Sequence, residues 1–337
     1  MTTPVSLSDV ADVFLNLLEL TDTKKSSASE SLVESFLTSL STGANGTAPT
    51  AGASAPSAPA TPPRFDASDL YGAGGRPRET DIKQDGVSDC YYVATLGAVA
   101  ERTPNQIKNA ISYDSSTGTF SVKLYKNEWD WDTMGYKQVT IEVTQQDILD
   151  NLTRRGGSTV DNNPGTDGPI WPAVMETAFA KMNDTKWSDG LAQGYRSIEW
   201  GWAKDAMRAV TGTTGDVLKG MQMFDTATQA EILYMQVSGA MTDGRPVTLS
   251  TDPEKPDFWA DVTGRPTQDG LVDNHVYMVD RIYKNSSGEV MVELRNPWGN
   301  NNNVGEGKDT ASAIVTVKLE TLLETKGLEC FNVGPRR

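Results

Sequence analysis

Cys90, His275 and Asn296 are the residues of this chain equipped to do nucleophilic chemistry together. His275 is the only histidine in 337 residues and Cys90 is one of two cysteines. A free thiol titrates near about 8.5, so it needs a base to react as thiolate at neutral pH. That base in turn needs a third group to hold its ring. Asn296, in Arg295-Asn296-Pro297-Trp298-Gly299, carries a side-chain amide suited to that role. Gln84 stands six residues before the thiol, where its amide can lie beside the Cys90 N–H and donate to a developing oxyanion. Such a set performs acyl transfer through an acyl-enzyme.

Each residue alone has a plainer reading. A cysteine in a helix is usually core packing, a histidine at a strand end is usually structural, and Asn-Pro often marks only a turn. The joint occurrence carries the argument. Zinc is excluded by ligand supply, since one His and two distant Cys cannot build a site. The glycines show no phosphate-loop spacing. Cys330, in Leu328-Glu329-Cys330-Phe331, reads as a buried strand thiol, and Asn300 to Asn303 as an exposed loop.

The elements that must position these groups follow from periodicity. Val93, Leu96, Gly97 and Ala100 recur at helical spacing, which puts Cys90 at a helix N-terminus, where unpaired amides and the dipole favour a thiolate. Thr103-Pro104-Asn105-Gln106 predicts a capping box with proline at the first helical position. Phe120-Val122-Leu124 and Val139-Ile141-Val143 alternate as strands. Helices are expected after Trp171-Pro172, from about Trp200 to Val210, and from Ala227 to Met241, with a strand at Val247 to Ser250. His275–Tyr283 and Val290–Arg295 are apolar-rich runs joined by Lys284-Asn285-Ser286-Ser287-Gly288, a hairpin signal. An antiparallel hairpin sets His275, at the start of one strand, beside Asn296, at the end of the other. Ile314–Leu319, a short helix and Leu328–Val333 complete the domain.

Composition limits the partners. A net charge of −15 argues against nucleic acid and anionic membranes, and no apolar run reaches the roughly 18 residues of a membrane span. The N-terminus lacks a signal peptide, because Asp12 and Glu19 interrupt its apolar stretch and the first Lys is Lys24. Synthesis in the cytoplasm is therefore expected, with non-classical secretion as an effector or toxin the further expectation. Residues 1–41 read as a helical segment able to dock a partner or direct delivery. Residues 42–65 are an Ala/Pro/Ser/Thr linker that is expected to be disordered.

At four places the chain resembles the calpain family of cysteine proteases. Thr80-Asp81-Ile82-Lys83-Gln84 with Asp89-Cys90 is similar to its cysteine motif, and Trp171-Pro172-Ala173-Val174-Met175-Glu176 to its central helix. Asn274-His275-Val276-Tyr277 and Leu294-Arg295-Asn296-Pro297-Trp298-Gly299 resemble its histidine and asparagine motifs. The resemblance implies an α+β, papain-like fold of two lobes, about 66–212 with Cys90 and 213–337 with His275 and Asn296. It implies that Cys90 is nucleophile, His275 base, Asn296 orienter and Gln84 oxyanion donor, with Trp298 shielding the His–Asn hydrogen bond and Asp89 in support. The substrate is then a protein or peptide bound extended across the cleft. No cofactor is required by that chemistry. In the family the core also binds calcium, and Asp81 and Glu176 match acidic positions of the first-lobe site; otherwise Asp81 caps its loop and Glu176 lies on a solvated helix face. Asp85 and Ser88 stand where the family commonly has glycines, Tyr91 where Trp or Phe is common, and Asn274 where Gly precedes the histidine. With no counterpart of the family's C-terminal domains after the core, the chain resembles a minimal, bacterial form. Two other readings keep the constellation: a papain-fold deamidase or acyltransferase, and a catalytically silent binding module.

Overall fold

The computed structural model describes residues 65–84, 86–153, 168–184, 191–252, 269–301 and 311–336. The N-terminal segment 1–41, linker residues 42–64 and Asp85 lie outside them, so the expectations for those stretches are not addressed. Helix α1 (Cys90–Arg102) is the element against which both halves pack, and every residue from Tyr91 to Ala100 is buried. A helix apolar on all sides belongs inside a core, not on a surface. Its Tyr92 ring stacks on Phe179 at 3.9 Å between centroids. Its Gly97 allows a close approach, since a Cβ there would lie 2.2 Å from Met278 Sδ and 3.2 Å from Ile82 Cγ1.

Around α1 the first half adds α2 (Pro104–Ala110) and an antiparallel sheet of β1 (Ile111–Asp114), β2 (Thr119–Asp130) and β3 (Gly135–Val143). It continues with α3 (Gln145–Thr153), α4 (Trp171–Asn183), α5 (Leu191–Arg196) and α6 (Ala203–Thr211). The second half is a six-stranded antiparallel sheet in the order β4-β9-β5-β6-β7-β8. Its strands are β4 (Asp216–Leu218), β5 (Val247–Thr251), β6 (Val276–Lys284), β7 (Val290–Arg295), β8 (Ile314–Lys318) and β9 (Leu328–Val333). Helices α7 (Thr226–Thr242) and α8 (Leu319–Thr325) pack on it. The architecture is thus α+β, with eight α-helices and two sheets among the described residues. None of these helices is long and apolar enough to cross a membrane.

Two hydrophobic cores meet at β6. Val276 and Met278 join the core built on α1, whereas Tyr277 and Val279 join the core of the larger sheet. Successive strand residues point to opposite faces, so one strand closes both cores. His275 immediately precedes that shared strand.

Three expectations need correction. Helix α2 does begin at Pro104, but Thr103 makes no side-chain cap; its hydroxyl donates back to Val99 O at 3.1 Å, and Gln106 donates to Val210 O. The capping box fails because the preceding helix competes for the threonine. Helix α6 starts at Ala203, three residues later than Trp200, because Trp200 takes a left-handed backbone with φ of 62°. Glu176 is 2% exposed, so its helix face is not solvated. Short β1 and β4, together with α3 and α5, carry too little periodic pattern to stand out in sequence.

Candidate active site

Cys90 is the first residue of α1, half-buried, and Asp89 is the N-cap residue. The amides of Tyr92 and Val93 are bonded to Asp89 O, at 2.7 and 3.1 Å. The N–H groups of Cys90, Tyr91 and Val276 act on the thiol and pull its pKa down, as expected at a helix start. Burial outweighs them and, with the Asp89 carboxylate adding repulsion, pushes the thiol up to about 12. The thiolate preference expected from the helix dipole is therefore overridden: a dipole effect confined to one turn is smaller than desolvation of a sulfur anion.

His275 is 4% exposed and is held at both ends. Its backbone N–H donates to Thr251 Oγ1 at 3.0 Å, and its carbonyl accepts from Thr251 N–H at 2.9 Å. The residue before it, Asn274, has φ of 50°, a conformation that favours glycine and that asparagine tolerates better than other residues. Burial lowers the imidazole to about 4, against the raising effect of its bond to Asn296.

The hairpin turns back through Asn285, whose carboxamide oxygen accepts from Ser287 and Glu289 N–H, and β6 pairs with β7 with Met278 opposite Arg295. Asn296, fully buried, then faces His275, with 3.1 Å between His275 Nε2 and Asn296 Oδ1. The orientation of this amide is determined by its neighbours. Trp298 N–H, which can only donate, points at Asn296 Oδ1 at 3.1 Å. On the other side Asn296 Nδ2 donates to Asn301 Oδ1 at 3.1 Å, and Asn301 Nδ2 donates to Ser312 O at 2.7 Å. With Oδ1 facing the ring, Nε2 must carry the hydrogen, which leaves the lone pair on Nδ1. The Trp298 ring is tilted beside the imidazole at 4.8 Å between centroids. Asn301 is 4% exposed. This corrects the reading of Asn300 and Asn301 as exposed loop: a sequence of consecutive asparagines gives no sign that one of them is needed inside.

The two sides are joined by Gln84 N–H donating to Pro297 O at 2.8 Å, which ties the cysteine loop to the asparagine loop. A cavity of about 290 Å³ is lined by Cys90 and His275 together, with Tyr91, Trp200, Trp202 and Glu329 among its other walls. Gln84 is not on that lining. Its Nε2 donates to Val87 O at 2.7 Å and to the fully buried Asp89 at 3.2 Å, so it braces the loop before the thiol. Cys330 is buried on β9, as its pattern predicts.

The two acids matched to calcium are engaged within the fold. Asp81 Oδ2 accepts from Trp171 Nε1 at 2.7 Å and Arg78 N–H at 2.9 Å, and Glu176 Oε2 accepts from Asn151 Nδ2 at 2.9 Å. Among the described residues no three His, Cys, Asp or Glu side chains come together in a way that could hold a metal ion, whereas calcium takes six to eight oxygens.

A thiol and an amide-oriented imidazole on one cleft, carried by a helix start and a hairpin, agree with a comparison of sequences. The profile described as "Calpain family cysteine protease" matches residues 69–325. The chain belongs to the calpain family. Calpain-13 of Rattus norvegicus is 24% identical over 227 residues, 65% of this chain and 29% of that protein. Calpain-8 of Rattus norvegicus is 25% identical over 237 residues, 67% of this chain and 28% of the relative. A thiol protease of Porphyromonas gingivalis is 24% identical over 259 residues, 75% of this chain and 49% of its own length. The chain thus spans less than half the length of these relatives. Within the calpain match lie all three residues of the constellation, and also Trp202 and Trp200, the latter read from sequence as a helix start and not as part of a cleft. An isolated Trp-Gly-Trp resembles a loop, and nothing in it announces a cleft wall.

Proposed function

We propose that this calpain-family chain is a cysteine endopeptidase that cleaves peptide bonds of protein substrates through Cys90, His275 and Asn296. The observation that carries this reading is the fixed Asn296 amide, which leaves His275 Nδ1 bare on the same cavity as the Cys90 thiol. With the thiol raised to about 12 and the imidazole lowered to about 4, both are neutral at pH 7. Proton transfer from Sγ to Nδ1 therefore accompanies attack on the substrate carbonyl. Charge develops on the carbonyl oxygen, and backbone N–H groups at the start of α1 are placed to receive it. The imidazolium, stabilised through Asn296, returns its proton to the leaving amine. A water then gives up a proton to His275 and attacks the acyl carbonyl; the bond to Cys90 Sγ breaks, the acid leaves, and the sulfur takes the proton back from His275.

The test is labelling by an epoxide or iodoacetamide-type probe, read by mass spectrometry, alongside cleavage of a denatured protein substrate. Native protein should label at Cys90 through proton transfer to His275, so His275→Ala should label more slowly, and Cys90→Ala should lose both label and cleavage. Cleavage retained by Cys90→Ala above about a hundredth of the native rate would sink the assignment, since loss of a nucleophile costs far more.

A further inference from the structure

The far wall of the cleft carries two carboxylates that the chemistry above does not use. Glu329 reaches it through a β-bulge. Ser250 on β5 opposes Cys330 and Thr251 opposes Leu328, so Glu329 is the extra residue between them. A bulge re-aims a side chain out of the pleat, and here Glu329 lines the cavity with Cys90 and His275. Asp252 follows β5, its N–H donating to Gly327 O at 3.1 Å, and lines the same cavity. Neither carboxylate makes an ion pair among the described residues. Burial and then the charge of Asp252 raise the Glu329 carboxyl, while Lys219 and Lys204 oppose this from outside the lining. No Lys or Arg is among the described residues that line the cavity.

The same cavity is also lined by two tryptophans. Trp200 is 72% and Trp202 56% exposed, two large indole rings at the cavity with only Gly201 between them in sequence. Their backbone is anchored: Trp200 N–H donates to Ser88 O at 2.9 Å, and Gly201 lies so close to the Tyr91 ring that a Cβ would meet it at 2.5 Å. Tyr91 in turn donates to Ile198 O at 3.0 Å. Lys204 Nζ already lies 5.8 Å from the Trp202 ring centroid, so this face is of a kind that accepts a cation.

We propose that the cleft selects substrates with an Arg or Lys side chain close to the bond cut, its cationic head paired with Glu329 and Asp252 and its stem laid against Trp200 and Trp202. Two neighbouring carboxylates repel one another, and a substrate cation relieves that repulsion. An aliphatic side chain would leave it in place. The net charge of −15 also draws basic segments toward the molecule. The selection rests on the proteolytic reading, and the experiment separates the two.

Native full-length protein is incubated with a proteome-derived peptide library, and the cut sites are read by mass spectrometry. Arg and Lys should be enriched at one position within three residues of the cut. A matched pair of fluorogenic peptides, with Arg or norleucine at that position, then gives a ratio of kcat/KM. Glu329→Gln should lower this ratio about ten- to a hundredfold, the worth of a hydrogen bond to a charged group. Asp252→Asn should act in the same direction and Lys204→Ala in the opposite one. Aliphatic enrichment in the library, or a ratio unmoved by Glu329→Gln, overturns the selection while leaving the protease reading intact. Should no peptide be cut and Cys90 fail to label, the protease reading falls instead. Fluorescence anisotropy of capped hexapeptides, with one Arg or norleucine moved along the chain, then decides selection on Cys90→Ala protein. Arg peptides binding more tightly, with the difference lost in Cys90→Ala/Glu329→Gln, supports it, and equal affinities overturn it.

Discussion

The nucleophile and the base reach the cleft by different means. Cys90 is placed by one element: α1 is buried from Tyr91 to Ala100, and the position of its first residue follows from the packing of the rest. His275 and Asn296 are placed by several short segments. Thr251, Trp298, Asn301 and Ser312 each contribute hydrogen bonds, and none of these residues is adjacent to His275 in sequence. A helix start is set by packing, so it is sensitive to volume. A hairpin mouth is set by directed bonds, so it is sensitive to single polar groups and to pH.

The largest expected effect removes the base. His275→Ala should be as damaging to kcat as Cys90→Ala, and the double variant little worse, because members of a catalytic unit are not additive. No second histidine exists to substitute. A near-normal rate in His275→Ala would end the comparison.

Next come the groups that hold the base. Asn296→Ala should lower kcat about ten- to a hundredfold, since its bond strengthens as the ring becomes charged. Asn301→Ala should cost about fivefold, near the worth of one neutral hydrogen bond. The bond from Asn296 raises the His275 pKa, so losing it should move the acid limb of the kcat/KM profile to lower pH in both variants. A fall in rate with an unshifted limb would reduce Asn301 to a structural role.

Packing on the helix side is checked by stability. Gly97→Ala should destabilise by about 1–3 kcal/mol through overpacking on Met278. Gly239→Ala on α7, with open space around the new Cβ, should instead stabilise by about 0.5–1 kcal/mol. Thermal unfolding of the two variants reads the difference directly, and equal shifts would show that α1 is not tightly closed on β6.

The smallest effect concerns a carboxyl pair at the seam. Asp280 falls at the irregularity of β6, between Val279 and Arg281, and meets Glu79. Burial, then the Asp280 charge and its hydrogen bond, raise Glu79 from 4.5 to about 8, opposed by Arg295 and reinforced by Glu101. Burial likewise raises Asp280. Between pH 4.5 and about 8 the folded protein then holds a proton at Glu79 that the unfolded chain has lost. This contribution is complete below pH 4.5 and fades as pH rises through about 8. Glu79→Gln should flatten the decline of melting temperature over that range; parallel declines would show that the pair does not titrate as a unit.

The chain order Cys90, His275, Asn296, the helix start and the hairpin were all legible in sequence, because each depends on local periodicity or on a turn a few residues long. Adjacency of His275 and Asn296 followed from the hairpin alone. What the sequence could not show involved segments far apart in the chain. Whether Cys90 is a thiol or a thiolate depends on how much of the fold surrounds it, and burial reversed the local expectation. Gln84 lies where the motif puts it, yet its amide turns to Val87 O and Asp89, the partners its loop offers. Asn301 became an internal prop because a buried amide at Asn296 needs an acceptor. Glu329 entered the cleft through one extra residue in β9, and a register shift is decided only when two strands pair. Local pattern therefore determined which elements form and in what order. Tertiary packing decided protonation, amide direction and the cleft wall, since those depend on desolvation and on non-local hydrogen bonds.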